Sequence, residues 1–155
     1  MKREIKKCLF DINTSIDSIF EYLDGKNEVF GYIKDGKPQL LNIGGQGGVV
    51  AGNAEKLRQI DCEATFHTHG SENDVQFPSG KDIVAVFMIG KPDYTVCRDK
   101  VWLVTPARQM DWQTVEQISA QLWHEAQEEV QGGDPYPIWK QKVKKKFPVK
   151  IERVI

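Results

Sequence analysis

The chain has 155 residues, which is enough for one domain with a sizeable core, and its 40% hydrophobic and 28% charged residues are typical of a globular protein. The formal net charge of −1 excludes a global electrostatic attraction to nucleic acid or to an anionic membrane. The 3 cysteines form no Cys-x-x-Cys pair, which argues against disulfides, and no apolar run reaches the ~20 residues of a membrane span. We therefore expect a single domain over residues 1–155, without a signal peptide, in the cytoplasm.

The first part of the chain predicts a strand, a helix and a β-hairpin before a glycine-rich stretch. The strand covers residues 3–12, the helix 13–25, and the two strands of the hairpin 28–33 and 38–43. Residues 44–48 read Gly-Gly-Gln-Gly-Gly but lack the Gly-Lys-Ser/Thr of a phosphate-binding loop. They are interpreted either as a bare turn or as a loop that contacts a substrate tail.

The rest of the chain alternates helices and strands. A helix is predicted over residues 53–60, followed by a strand leading into His67, a loop over 70–77 and a helix over 79–88. A hairpin over 94–105 comes next, and then a helix over 111–130, a basic helix over 136–147 and a strand over 147–151. Asp111 is the predicted N-cap of the helix over 111–130, which has one apolar stripe. Because helices and strands are intermixed without a repeat, we expect a single α/β domain.

A His-x-His pair is the main candidate for a functional site. His67 and His69 lie two residues apart on a predicted strand, so their side chains share a face and can converge on one metal ion. Ser79 and Asp82, three residues apart in the first turn of a predicted helix, also share a face. Two histidines and one carboxylate form a protein shell for zinc that leaves a fourth tetrahedral position open, as in catalytic sites.

Simpler interpretations exist for each of these residues. Ser79-x-x-Asp82 also matches a helix capping box, and for these two residues alone capping is the favoured interpretation. His67 and His69 could be polar residues of a half-exposed strand, but two histidines on one face directly before a glycine-led turn favour a metal site for the complete set. His124 lacks the second histidine of a His-Glu-x-x-His motif and is interpreted as an ordinary helix residue.

The chain contains, in this order, the segments Glu28-Val-Phe-Gly-Tyr-Ile33, His67-Thr-His69 and Ser79-Gly-Lys-Asp82. Together they resemble the JAMM metalloproteases, also called the JAB/MPN domain. The family pattern is a glutamate on an early strand, then His-x-His, then Ser-x-x-Asp. The resemblance implies an α/β (α+β) fold with a curved mixed β-sheet flanked by helices, similar in architecture to cytidine deaminases. The implied activity is hydrolysis of peptide or isopeptide bonds, often where ubiquitin or a ubiquitin-like protein is joined to a target.

The resemblance also implies a role for each motif residue. His67, His69 and Asp82 would hold Zn²⁺, Glu28 would deprotonate the zinc-activated water, and Ser79 would steady the oxyanion. The expected function is therefore that of a zinc metallopeptidase or isopeptidase with a protein or peptide substrate. Glu72 is the main rival of Glu28 for the role of general base, because it lies in the loop that follows His69.

Two other functions are weighed against hydrolysis. A non-catalytic JAB/MPN-like scaffold would bind a protein partner, but such scaffolds normally lose a metal ligand and none is missing here. Nucleic-acid binding would rest on the basic residues Lys140, Lys142, Lys144, Lys145, Lys146, Lys150 and Arg153. The favoured interpretation of these is a solvated segment that offsets the acidic face of the helix over 111–130. No membrane partner is expected, and the sequence carries no signal for an oligomeric state.

Overall fold

A computed structural model of the protein describes residues 28–44, 58–72 and 74–155. The predicted strand over 3–12, the predicted helix over 13–25, residues 45–48 and most of the helix predicted over 53–60 lie outside these ranges. The strands are β1 (Glu28–Lys34), β2 (Lys37–Gly44), β3 (Ala64–Thr68), β4 (Asp93–Val96), β5 (Val101–Pro106) and β6 (Val149–Arg153). The helices in the described ranges are α1 (Gly80–Ile89), α2 (Trp112–Val130) and α3 (Tyr136–Lys146).

The described strands form one mixed sheet in the order β2-β1-β3-β4-β5-β6. β3 and β4 run parallel, whereas every other neighbouring pair is antiparallel. A parallel pair needs a crossover connection, and α1 supplies it between β3 and β4. The two predicted hairpins are confirmed as β1–β2 and β4–β5. The described part of the chain is thus a mixed α/β domain with a six-stranded sheet and three helices.

Glycines position the first hairpin against the rest of the sheet. Asp35 and Gly36 turn the hairpin with φ of 52° and 73°, the left-handed conformations that a two-residue type I′ turn requires. The register of β1 against β2 shifts beside Gly31. A Cβ at position 31 would lie 2.2 Å from the carbonyl oxygen of Gln39 and 2.7 Å from the ring of Phe66, so the strands approach this closely only at glycine. This packing fixes β1 against β3.

The three helices of the described ranges pack on one face of the sheet. Ser79 caps α1 and Asp111 caps α2, each with a side chain that accepts a backbone N–H, as the sequence predicts. The core between helices and sheet contains Ile83, Val86, Phe87, Val104, Val115, Trp139 and Val143. A second core on the opposite face contains Ile33, Phe66, Tyr94 and Leu103. None of the helices in the described ranges combines the length and apolar character that crossing a membrane requires.

Candidate metal centre

The imidazoles of His67 and His69 lie side by side at the end of β3. Because side chains alternate along a strand, both point to the face that carries α1, and only 2% and 3% of the two residues is exposed. Their Nε2 atoms are 3.2 Å apart. Asp82, also buried, approaches from the first turn of α1, with Oδ1 2.9 Å from Nε2 of His67 and Oδ2 2.9 Å from Nε2 of His69. The three residues that the sequence groups together thus converge on one point.

Ser79 and Asp82 also form the capping box of the simpler interpretation. The Ser79 hydroxyl accepts from the backbone N–H of Asp82 at 3.4 Å, and Oδ2 of Asp82 accepts from the backbone N–H of Ser79 at 2.8 Å. Capping does not remove Asp82 from the centre, because the same carboxylate contacts both histidines. The capping bonds instead fix the orientation of this carboxylate, so both interpretations hold together.

Hydrogen bonds on the outer side of each ring fix the orientation of the two histidines. Nδ1 of His67 lies 2.8 Å from Oδ2 of Asp93, and Oδ1 of this buried carboxylate accepts from the Thr65 hydroxyl at 2.7 Å. Nδ1 of His69 lies 2.8 Å from the carbonyl oxygen of Val75. Carbonyl and carboxylate oxygens only accept, so both Nδ1 atoms carry hydrogens. Partners of this kind commonly support histidines that bind metal ions.

The inner nitrogens are therefore arranged to bind a cation. With hydrogens on both Nδ1 atoms, the neutral rings present only lone pairs at Nε2, and these face each other and the oxygens of Asp82. Such a group of acceptors needs protons or a metal ion between its members. Ligand atoms on a tetrahedral zinc ion with bonds of ~2.0–2.1 Å are about 3.3 Å apart, close to the observed 2.9 and 3.2 Å. The buried group of His67, His69 and Asp82 could thus bind a metal ion.

In the metal-free protein, neighbouring carboxylates hold protons on the two rings. Burial by itself lowers the pKa of His67, but Asp82 and Asp93 outweigh burial and raise this pKa well above its ordinary value. Burial opposes the charged form of His69 as well, yet Asp82 raises the pKa of His69 to about 10. Burial would raise the pKa of Asp82, but the two imidazoles hold it well below its usual range. A metal ion at this centre must therefore displace protons.

Glu28 lies beside this group at the start of β1. Phe30 pairs with His67 in the antiparallel register of β1 and β3, which places Glu28, two residues earlier, level with His69. Next to Glu28, the backbone N–H of Val29 donates to the hydroxyl of Thr68 at 2.9 Å. This bond holds the end of β1 against the strand that carries the histidines.

The surroundings of Glu28 raise the pKa of its carboxyl group. Burial is the main cause, and together with the Asp82 carboxylate it outweighs the opposite effect of His67 and His69. A carboxyl group with a raised pKa is better suited to accept and return a proton near neutral pH. Glu72, the rival candidate, is an exposed residue of the loop after His69.

A groove of about 890 Å³ opens beside the centre. Glu28, Ser79 and Asp82 line it together with the charged side chains of Lys81 and Glu116. Most other lining side chains are aromatic or aliphatic, and they include Phe77, Val84, Met88, Trp112, Trp123 and Trp139. An apolar segment of a ligand could therefore lie next to Glu28 and Asp82.

Sequence reasoning did not find the outer partners of the histidines. Asp93 comes next to Thr65 and His67 only through the parallel pairing of β3 with β4, and no spacing along the chain indicates this contact. The sequence offers one indication of this contact, which is that Asp93 directly precedes the predicted hairpin over 94–105. Val75 contacts His69 through its backbone carbonyl, so the type of side chain at position 75 does not indicate this contact.

His124 and Lys142 form ion pairs away from the centre. His124 lies on the surface of α2 with 74% of its side chain exposed, and its Nε2 is 3.2 Å from Glu128, so it takes no part in the centre. Lys142 of α3 pairs with Glu129 of α2 at 3.1 Å. This pair is what we expect of a basic segment that offsets the acidic face of the neighbouring helix.

The chain matches no protein-family model, and no curated protein and no solved structure is significantly similar to it. The function is therefore inferred from the geometry of the centre.

Proposed function

We propose that the protein is a zinc-dependent metallopeptidase or isopeptidase of the JAMM type, with a JAB/MPN-like fold. The observation that carries the proposal is the convergence of His67, His69 and Asp82 beside Glu28 at an apolar groove. Two imidazoles and one carboxylate are a zinc shell that leaves a position open for chemistry. A mixed sheet with helices packed on it is compatible with the expected fold.

His67, His69 and Asp82 are the residues that would hold the metal ion. Bound there, zinc supplies a Lewis acid that makes water nucleophilic at neutral pH and polarises the scissile carbonyl. Asp93 and the Val75 carbonyl fix the tautomer and the rotation of the two rings, so both Nε2 lone pairs stay aimed inward. The capping bond from the Ser79 backbone N–H does the same for the Asp82 carboxylate.

Glu28 is the proposed general base and general acid. It accepts a proton from the attacking water as the water oxygen adds to the carbonyl carbon, and it donates this proton to the leaving amine as the C–N bond breaks. The products are a carboxyl group and a free amine. The raised pKa of Glu28, which follows from its burial, helps it to return the proton in the second step.

Ser79 is the proposed donor to the oxyanion. Its hydroxyl oxygen accepts from the Asp82 backbone at 3.4 Å, which leaves the hydroxyl hydrogen available for another acceptor. Ser79 lines the groove beside Glu28 and Asp82, where the carbonyl oxygen of a substrate would gain negative charge. A donor at this place stabilises the transition state more than the ground state.

The groove supports a protein or peptide as the substrate. Its aromatic and aliphatic walls can bury apolar side chains of an extended segment next to the centre. Lys81 and Glu116 add charged groups at the groove that could contact the backbone of the segment. A ubiquitin-like conjugate is one member of this substrate class.

Hydrolysis by the zinc-loaded protein tests the proposal. The protein is incubated with a peptide library and with linear and isopeptide-linked ubiquitin-like conjugates, and the products are identified by mass spectrometry. We expect cleavage that stops with a chelator, returns with zinc, is lost in His69→Ala and is unchanged in the surface control His124→Ala. Capture of a protein partner without any cleavage by the zinc-loaded protein would favour the non-catalytic scaffold instead.

A further inference from the structure

Gln76 lies near the end of the loop between His69 and α1, and its side chain forms a hydrogen bond back to the start of this loop. Its Nε2 donates to the carbonyl oxygen of Gly70 at 3.1 Å, and its Oε1 accepts from the backbone N–H of Arg98 at 2.7 Å. The carbonyl oxygen of Gln76 also accepts from Nε1 of Trp102 at 3.3 Å. Gln76 is thus tied both to the residue that follows His69 and to the hairpin formed by β4 and β5.

These bonds fix the peptide group that supports His69. The carbonyl of Val75 belongs to the planar peptide unit that Val75 shares with Gln76, and its oxygen lies 2.8 Å from Nδ1 of His69. Rotation of this unit would turn the carbonyl away from the ring. The bonds of Gln76 oppose that rotation, and its side-chain amide has one favourable orientation, because the carbonyl of Gly70 only accepts and the N–H of Arg98 only donates.

His67 does not depend on the loop in this way. Its Nδ1 faces Asp93, a residue of β4 whose backbone is held in register with Thr65 of β3. The two rings therefore have different supports, a carboxylate on a strand for His67 and a loop carbonyl for His69. A change in the conformation of the loop is therefore expected to alter the orientation of His69 and not that of His67.

We propose that Gln76 is a positioning residue that keeps His69 oriented for metal binding through the carbonyl of Val75. The inference deepens the proposed function and rests on it, because it requires the metal centre. It also connects the centre with the groove, since Val75 and Phe77, on either side of Gln76, both line the groove. A ligand segment that binds in the groove and displaces Val75 or Phe77 would therefore also move the Val75 carbonyl that holds His69.

Zinc affinity in Gln76 variants tests the inference without an assay of hydrolysis. Gln76→Ala removes the side-chain bonds to Gly70 and Arg98, whereas Gln76→Glu keeps the acceptor for Arg98 and loses the donor to Gly70. Gln109→Ala is the matched control, because Gln109 also donates from its side chain to a backbone carbonyl, that of Phe87 at 2.6 Å. The zinc Kd is measured by competition with a chelator. The Nδ1–H signal of His69, which the bond to Val75 protects from exchange, is followed by NMR in the metal-free protein.

We expect both Gln76 variants to bind zinc about 10-fold more weakly, the lower end of what outer partners of a metal ligand contribute. Their Nδ1–H signal from His69 should weaken by faster exchange, while Gln109→Ala keeps the wild-type affinity and signal. Wild-type zinc affinity in a folded Gln76→Glu protein would overturn the role of Gln76 and leave the proposed function intact, even if Gln76→Ala failed to fold. A wild-type protein that binds no zinc would overturn both.

Discussion

Nδ1 of His67 lies 2.8 Å from Oδ2 of Asp93 on the neighbouring parallel strand. The carboxylate fixes the ring so that Nε2 faces the centre, and we expect Asp93→Asn to weaken zinc binding by about 10- to 100-fold. Chelator competition gives the affinity, and circular dichroism shows whether the variant is folded. Thr95→Val is the control, because the Thr95 hydroxyl reaches the same carboxylate only at 3.5 Å. Equal affinities in the two variants would mean that Asp93 has only a structural role.

Substitution of Ser79 distinguishes its role as a helix cap from its proposed role as an oxyanion donor, although one hydroxyl can have both roles. Loss of a cap alone should lower the free energy of unfolding by about 0.5–2 kcal/mol, whereas loss of an oxyanion donor should lower kcat by about 10²-fold or more. We expect Ser79→Ala to show both effects. Asp111→Ala is the matched control, because it removes only the cap of α2, where Asp111 accepts from the Thr114 N–H at 3.2 Å. If Ser79→Ala kept the kcat of this control, Ser79 would be a helix cap only.

Much of the centre could be predicted because its parts are local. The alternation of a strand places His67 and His69 on one face, and the first turn of a helix places Ser79 beside Asp82. Asp93 and the Val75 carbonyl were beyond prediction, because the first depends on the pairing of β3 with β4 and the second on the path of a loop. These contacts arise from tertiary structure, and nothing in the spacing of residue types indicates them.

The same reasoning applies to the fold. Both hairpins and the caps of α1 and α2 follow from turn residues and polar side chains at helix starts, and the structure has them where the sequence predicts them. The position of Glu28 depends instead on the register of β1 with β3 and on the close approach at Gly31. From the sequence, only the resemblance of residues 28–33 to a family pattern pointed to Glu28.

Glu28→Gln should separate metal binding from hydrolysis. The amide cannot take a proton from water, so we expect turnover to fall by about 10²- to 10⁴-fold while zinc stays bound, since His67, His69 and Asp82 are unchanged. Metal content and initial rates are measured on the same preparation. Glu72→Gln, which changes the exposed rival in the loop, should remain active. An inactive Glu72→Gln together with an active Glu28→Gln would show that the general base has been misassigned.

The stability of the metal-free protein should fall as the pH rises from about 6.5 to about 10. The pKa of His69 is raised from 6.5 to about 10 by Asp82, so its contribution is fully present below pH 6.5 and is lost as the pH rises through about 10. Zinc replaces the proton, so the zinc-saturated protein should not lose this contribution. Urea titrations at several pH values, with and without zinc, measure both trends. A flat profile for the metal-free protein would contradict the ion pair of His69 with Asp82.

Metal content of the purified protein tests the central claim most directly. Elemental analysis should find about one zinc per chain in the wild type, the same amount in the surface control His124→Ala, and almost none in folded His67→Ala and Asp82→Ala. The three buried ligands explain this expectation, because removing one leaves too few donors at the point where they converge. Zinc that stays stoichiometric in both ligand variants, or a wild type that carries iron or no metal after incubation with zinc, would contradict the claim.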